Sequence, residues 1–129
     1  MKEGDVFENR FVVNELIFDG FRNTFRDENP LHTNDSFAKS KGFESAVMYG
    51  NILNGFLSYL IGECLPVKNV IIHSQTIKYS LPVYLNDTVL LSAKLTGVFE
   101  SVNSFEFKYT FTNVKNQNIA SGKFQIGLI

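Results

Sequence analysis

The apolar positions of this chain change their period along its length, and each change marks an element. From Val6 to Val13 they alternate with polar residues enough to predict a short strand. From Asn14 the spacing turns helical: Leu16, Ile17, Phe21 and Phe25 fall on one face expected to point inward. Asn14 is a good N-cap, and Glu15 complements the helix dipole in the first turn. This helix is expected to end around Asp27. Phe37 and Ala38 predict a brief helical piece closed by Gly42. The strongest pattern is Asn51 to Cys64, where Ile52, Leu53, Phe56, Leu57, Leu60, Ile61 and Cys64 form a broad apolar face. Gly50 opens that helix and Pro66 stops it, and so many turns are apolar that it is expected to be buried. The remainder reads as strands. Val70 to Tyr79 leads into Leu81-Pro82. Val89, Leu91, Ala93 and Leu95 alternate with polar residues, as do Phe105, Phe107, Tyr109 and Phe111. Asn116-Gln117-Asn118 is a hairpin turn into Ile119–Ile129. One buried helix followed by about four long antiparallel strands implies an α+β fold, with a sheet wrapped around that helix.

The chain of 129 residues fits one domain over 1–129 with one core, and a hydrophobic fraction of 44% with 13 phenylalanines supplies the apolar surface to fill it. The phenylalanine rows are therefore core. The formal net charge is -1 with no block of like charge, which argues against a nucleic-acid partner. No apolar run approaches the roughly 20 residues that span a bilayer, so no membrane association is expected. The opening Met1-Lys2-Glu3-Gly4-Asp5 does not read as a signal peptide. The single Cys64 excludes an intramolecular disulfide and fits a reducing compartment, so the expected location is the cytoplasm. Two histidines and one cysteine argue against a dedicated zinc site.

The candidate chemistry lies in Asp27-Glu28-Asn29-Pro30-Leu31-His32, where a carboxylate and an imidazole stand five residues apart. On an ideal helix they would splay by about 140°. Pro30 argues against a helix there and pushes Asn29 toward an extended conformation, so a tight turn can fold His32 back toward Asp27. Two such groups facing one cavity can hold and activate a water molecule. Read from the residues alone, the pair is better taken as a structural turn, with Asp27 capping backbone amides and His32 satisfied in the core. His73 falls in a strand and reads as an ordinary surface or edge residue, and Cys64 as a buried thiol.

These residues resemble the MaoC-like (R)-specific enoyl-CoA hydratases of the hot-dog fold. The family pattern is Asp-x-Asn-Pro-x-His, then Gly-Phe, then His-Gly opening the central helix. This chain has Asp27, Asn29, Pro30 and His32, then Gly42-Phe43, then Tyr49-Gly50, and later Leu81-Pro82-Val83 with Asn86-Asp87. The resemblance covers almost the whole chain and implies a hot-dog domain, dimeric, with the acyl chain in a tunnel near the subunit interface. It implies addition of water to the β-carbon of a trans-2-enoyl thioester, giving a (3R)-3-hydroxyacyl thioester, or the reverse dehydration. Asp27 and His32 would hold the water, one accepting its proton and the other donating to the α-carbon, with Asn29 supporting the turn. The backbone N–H of Gly50 would stabilise negative charge on the thioester oxygen; its alternative role is a packing glycine. Ser58 matches the family's pocket serine, orienting the carboxylate, lining the acyl pocket, or bonding its own helix.

Two departures stand out. Tyr49 replaces the family histidine, as a wall of the substrate pocket or a space-filling aromatic. Arg26 precedes Asp27, and its side chain is expected to point to solvent. No metal or other cofactor is implied, because only a water and a proton are exchanged. The expected partners are an acyl-CoA or acyl carrier protein thioester and a second copy of the chain, with Lys39 and Lys41 available to an acidic carrier. Two other functions compete: a hot-dog thioesterase, which would release free thiol, and a non-catalytic acyl-thioester-binding subunit, which Tyr49 keeps in view.

Overall fold

The computed structural model describes residues 1–129. Strand β1 (Val6–Val12) leads to helix α1 (Glu15–Phe25), two short helices α2 (Pro30–Thr33) and α3 (Asp35–Ser40), and the central helix α4 (Asn51–Tyr59). Four longer strands follow: β2 (Val70–Tyr79), β3 (Thr88–Phe99), β4 (Ser104–Thr112) and β5 (Asn118–Leu128). All pairings are antiparallel in the order β1-β3-β4-β5-β2, so β1 joins the later strands and β2 forms the other edge.

Alternation puts Val89, Leu91, Ala93 and Leu95 of β3, and Phe107, Tyr109 and Phe111 of β4, on the face that receives α4. Against them α4 presents Ile52, Leu53, Phe56 and Leu57, all buried. Its opposite side, carrying Asn51, Gly55 and Ser58, stays exposed in the protomer. The helical run continues to Cys64, as its periodicity predicts, but the last turn is π-helical over Leu60–Cys64. There the Leu65 N–H reaches back five residues to the Leu60 carbonyl, which seats Leu65 in the core just before Pro66 withdraws the next donor. Cys64 is only half-buried; its Sγ accepts a hydrogen bond from Asn9 Nδ2 at 3.2 Å.

The first helix departs from its expected face. Asn14 caps it through the Ile17 N–H, but Leu16 and Phe25 are 81% and 67% exposed. Ile17, Phe18 and Phe21 make the contact with the core instead. The helix lies on the rim of the molecule and offers only a narrow stripe inward, too narrow for four residues spread over two and a half turns. It ends at Phe25, where Arg26 takes a left-handed conformation (φ 60°) with an exposed side chain.

Candidate active site

Pro30 starts a helical turn rather than excluding one. It occupies the first position of α2, where a missing N–H costs nothing. Asn29 is extended (φ -54°, ψ 126°), as the following proline demands, and its side chain caps the Leu31 N–H at 3.0 Å. Asp27 Oδ1 in turn accepts the Asn29 N–H at 3.0 Å. The hexad is thus a run of side-chain caps that turns the chain sharply between Asp27 and His32.

Val47 fixes the far end of that turn with both backbone groups. Its N–H bonds the Leu31 carbonyl at 2.9 Å, and its carbonyl lies 2.6 Å from His32 Nδ1. A carbonyl only accepts, so Nδ1 carries the proton, and in the neutral ring Nε2 is left with a lone pair. Val47 is itself held by a bridge to Tyr84, beside the turn where Asn86 adopts φ 70° and Asp87 Oδ2 caps the Tyr84 N–H at 2.9 Å.

Tyr49 connects the two ends of the hexad. Its hydroxyl donates a short hydrogen bond to the Asp27 carbonyl, and its ring lies 4.4 Å from the His32 imidazole, centroid to centroid. The same ring stacks on Phe21 and Phe18 of α1, at 4.5 and 5.5 Å. Burial, and after it the charges of Asp27 and Glu28, hold the Tyr49 phenol above its ordinary pKa, so it remains a donor. A second clasp is the bidentate pair of Arg22 on Glu28, 2.6 Å at its shorter approach. That pair raises the guanidinium pKa and lowers the carboxyl.

His32, Tyr49 and Gly50 share a cavity of about 510 Å³ whose lining is largely hydrophobic. Leu53, Leu81, Pro82 and Val83 supply apolar wall, and Tyr79 at the end of β2 closes one side. The backbone N–H of Gly50 makes no hydrogen bond within the protein. It opens α4 at the positive end of the helix dipole, so it is available to an oxygen in the cavity. Gly50 has ordinary helical torsions (φ -59°), and the Tyr79 ring packs directly on it: a Cβ would come within 2.8 Å of that ring and make it shift.

The remaining expected residues are placed differently. Asp27 is exposed at the rim and does not line the cavity, although its backbone is tied to Tyr49. Ser58 lies on the exposed side of α4 and does not reach the cavity within one protomer, because eight residues of helix from Gly50 turn it away from the apolar face. Two residues that the periodicity passed over take part. Val47 is a lone bridge residue, which no pattern announces. Tyr79 looked like one more strand aromatic; a tyrosine just before Leu81-Pro82 was the only signal.

The fold is that of a hot-dog protein, and the cavity lies where the central helix begins. Residues 6–118 match the model of the MaoC-like domain family, and the chain belongs to that family. It is 29% identical over 112 residues to the (R)-specific enoyl-CoA hydratase of Rhodospirillum rubrum, covering 87% of this chain and 78% of the relative. It is 25% identical over 118 residues to the mitochondrial 3-hydroxyacyl-[acyl-carrier-protein] dehydratase of Arabidopsis thaliana, covering 92% and 70%. Among solved structures, the (R)-hydratase from A. caviae superposes with a TM-score of 0.92 at 23% identity, covering 100% of this chain and 98% of that one.

Proposed function

We propose that this protein is a hydro-lyase that adds water to trans-2-enoyl thioesters to give (3R)-3-hydroxyacyl thioesters, or runs the reverse dehydration. The observation that carries this reading is the His32 Nδ1–Val47 carbonyl bond, which leaves a basic Nε2 in the same cavity as the unbonded Gly50 N–H. The names of the two relatives, a hydratase and a dehydratase, agree with it.

In this reading the water is held in the cavity by His32 Nε2 and shared with the Asp27 carboxylate, whose side chain turns inward from the rim to reach it. As its oxygen attacks the β-carbon, its proton passes to the dyad. Electron density moves through the conjugated system onto the thioester oxygen, where the Gly50 N–H meets it. The enolate then collapses as the dyad delivers one proton to the α-carbon, so atoms and charge balance. Asn29 keeps the turn closed, Tyr49 forms the wall behind His32, and the apolar lining takes the acyl chain. The domain is taken to act as a homodimer, with coenzyme A or acyl carrier protein carrying the thioester.

The test is the absorbance of the conjugated enoyl group of crotonyl-CoA. It should fall without release of thiol. General acid–base groups contribute about 10²–10⁴-fold, so Asp27→Asn and His32→Ala should each lower kcat by that order while the fold persists. Thiol release instead would make the protein a thioesterase. Binding without any absorbance loss would make it an acyl-thioester-binding subunit. A fully active Asp27→Asn enzyme would sink the dyad.

A further inference from the structure

The Tyr79 hydroxyl has no role in the reading above, yet its surroundings are organised. The ring lies across Gly50, with Cε1 2.8 Å and the hydroxyl 3.3 Å from where a Gly50 Cβ would stand. The hydroxyl accepts a hydrogen bond from Asn54 Nδ2 at 3.4 Å. Asn54 is itself held on both sides: its Nδ2 also bonds Asn51 Oδ1 at 2.9 Å, and its Oδ1 receives the Gln75 amide. The amide network thus fills an acceptor position of the Tyr79 oxygen and leaves its proton with no partner in the protein. That unpartnered O–H and the unbonded Gly50 N–H border one cavity.

We propose that Tyr79 is a second donor to the thioester oxygen, forming with the Gly50 N–H a two-donor oxyanion site. One backbone donor at a helix start stabilises an enolate oxygen in part. A hydroxyl beside it, already in place before substrate arrives and with its proton unpaired, supplies the second hydrogen bond. Burial raises the Tyr79 phenol pKa against the smaller opposing effect of Asn54, so the proton is present at neutral pH. The group is hydrogen-bonded throughout and is not a proton shuttle: it starts and ends the cycle protonated. The close packing of Tyr79 on Gly50 also gives the glycine its reason, since any larger residue would push the hydroxyl aside.

The inference rests on the enoyl-thioester reading but is tested apart from it. The first measurement is a difference spectrum of crotonyl-CoA bound to Asp27→Asn protein, where no turnover obscures the band. Two donors on the carbonyl oxygen polarise the conjugated system and shift its absorbance to longer wavelength. Adding Tyr79→Phe, which deletes one half-exposed hydroxyl and leaves the ring packing, should remove most of that shift. An unshifted parent band, or an equal shift with and without the hydroxyl, overturns the proposal whatever the turnover. On the otherwise unaltered enzyme Tyr79→Phe should lower kcat about 10- to 100-fold, with KM within twofold, because the bond strengthens only as charge develops. An unchanged kcat also overturns it. A wild-type protein that shifts the band yet hydrates no enoyl thioester would overturn the hydratase reading alone.

Discussion

At the scale of single residues, the site depends on side chains that hold backbone. Tyr49 ties the Asp27 carbonyl to the ring of His32, and Arg22 clasps Glu28 between them. Tyr49→Phe keeps the aromatic stack on Phe18 and Phe21 and deletes only the hydroxyl. The loss of one hydrogen bond should cost about 1 kcal/mol of stability, read as a lowered urea midpoint. The larger effect should be local: amide hydrogen exchange over residues 27–32 should accelerate about tenfold, with kcat falling and KM nearly unchanged. Global loosening in place of this local effect would remove Tyr49 from the positioning role. The Arg22–Glu28 pair lies at the surface, with 39% and 58% of the two side chains exposed, so little stability is assigned to it. The Glu28 carboxyl is depressed in the fold, so any contribution exists above its ordinary range and disappears as pH falls through its folded value.

At the scale of elements, the edge strand β2 is fastened by a side chain that passes beneath its neighbour. Tyr109 on β4 sends its hydroxyl past β5 at Gly122 to donate to the Thr76 carbonyl of β2 at 2.6 Å. A Cβ at Gly122 would run into the Thr76 carbonyl and lie 2.9 Å from the Tyr109 hydroxyl. Backbone cannot step aside as a side chain can, so Gly122→Ala should destabilise by about 1–3 kcal/mol, measured by urea unfolding. It should also disturb Tyr79, three residues along β2 from Thr76. Burial pushes the Tyr109 phenol up to about 12, above its unfolded value. The unfolded chain therefore loses this proton first. The contribution is whole below about pH 10 and is lost as pH rises toward 12. Wild-type stability should fall across that interval more steeply than that of Tyr109→Phe, and parallel curves would contradict the shift.

At the scale of the whole molecule, β2 is an open edge with exposed residues on both faces. Ile71, Ile72 and Tyr79 are 50%, 41% and 47% exposed. An apolar groove between α1 and α4, lined by Leu16, Phe25 and Gly55, lies open as well. A long unprotected edge invites pairing with another chain, which is why a homodimer is proposed. Ile72→Lys should place a charge on that edge and convert the dimer to a monomer in light scattering. A dimer of unchanged mass would move the interface elsewhere.

The sequence by itself determined the elements and the turn chemistry. Period-2 alternation in β3 and β4, and the apolar face of Asn51 to Cys64, follow from local geometry that each residue reports directly. The hexad announced its turn because Asn29 and Pro30 restrict their own torsions; only the helical turn at Pro30 was misread, since proline forbids helix interiors and not helix starts. The narrow contact stripe of α1 was not legible, because how much of an apolar face is covered depends on what packs against it. Nor was the partnership of His32 with Val47, of Tyr49 with Asp27, or of Tyr79 with Gly50. Those contacts join positions 15 to 29 residues apart through backbone carbonyls and steric fit. Periodicity carries no record of such encounters; only the folded chain, by closing the sheet around α4, decides which side chains reach the cavity.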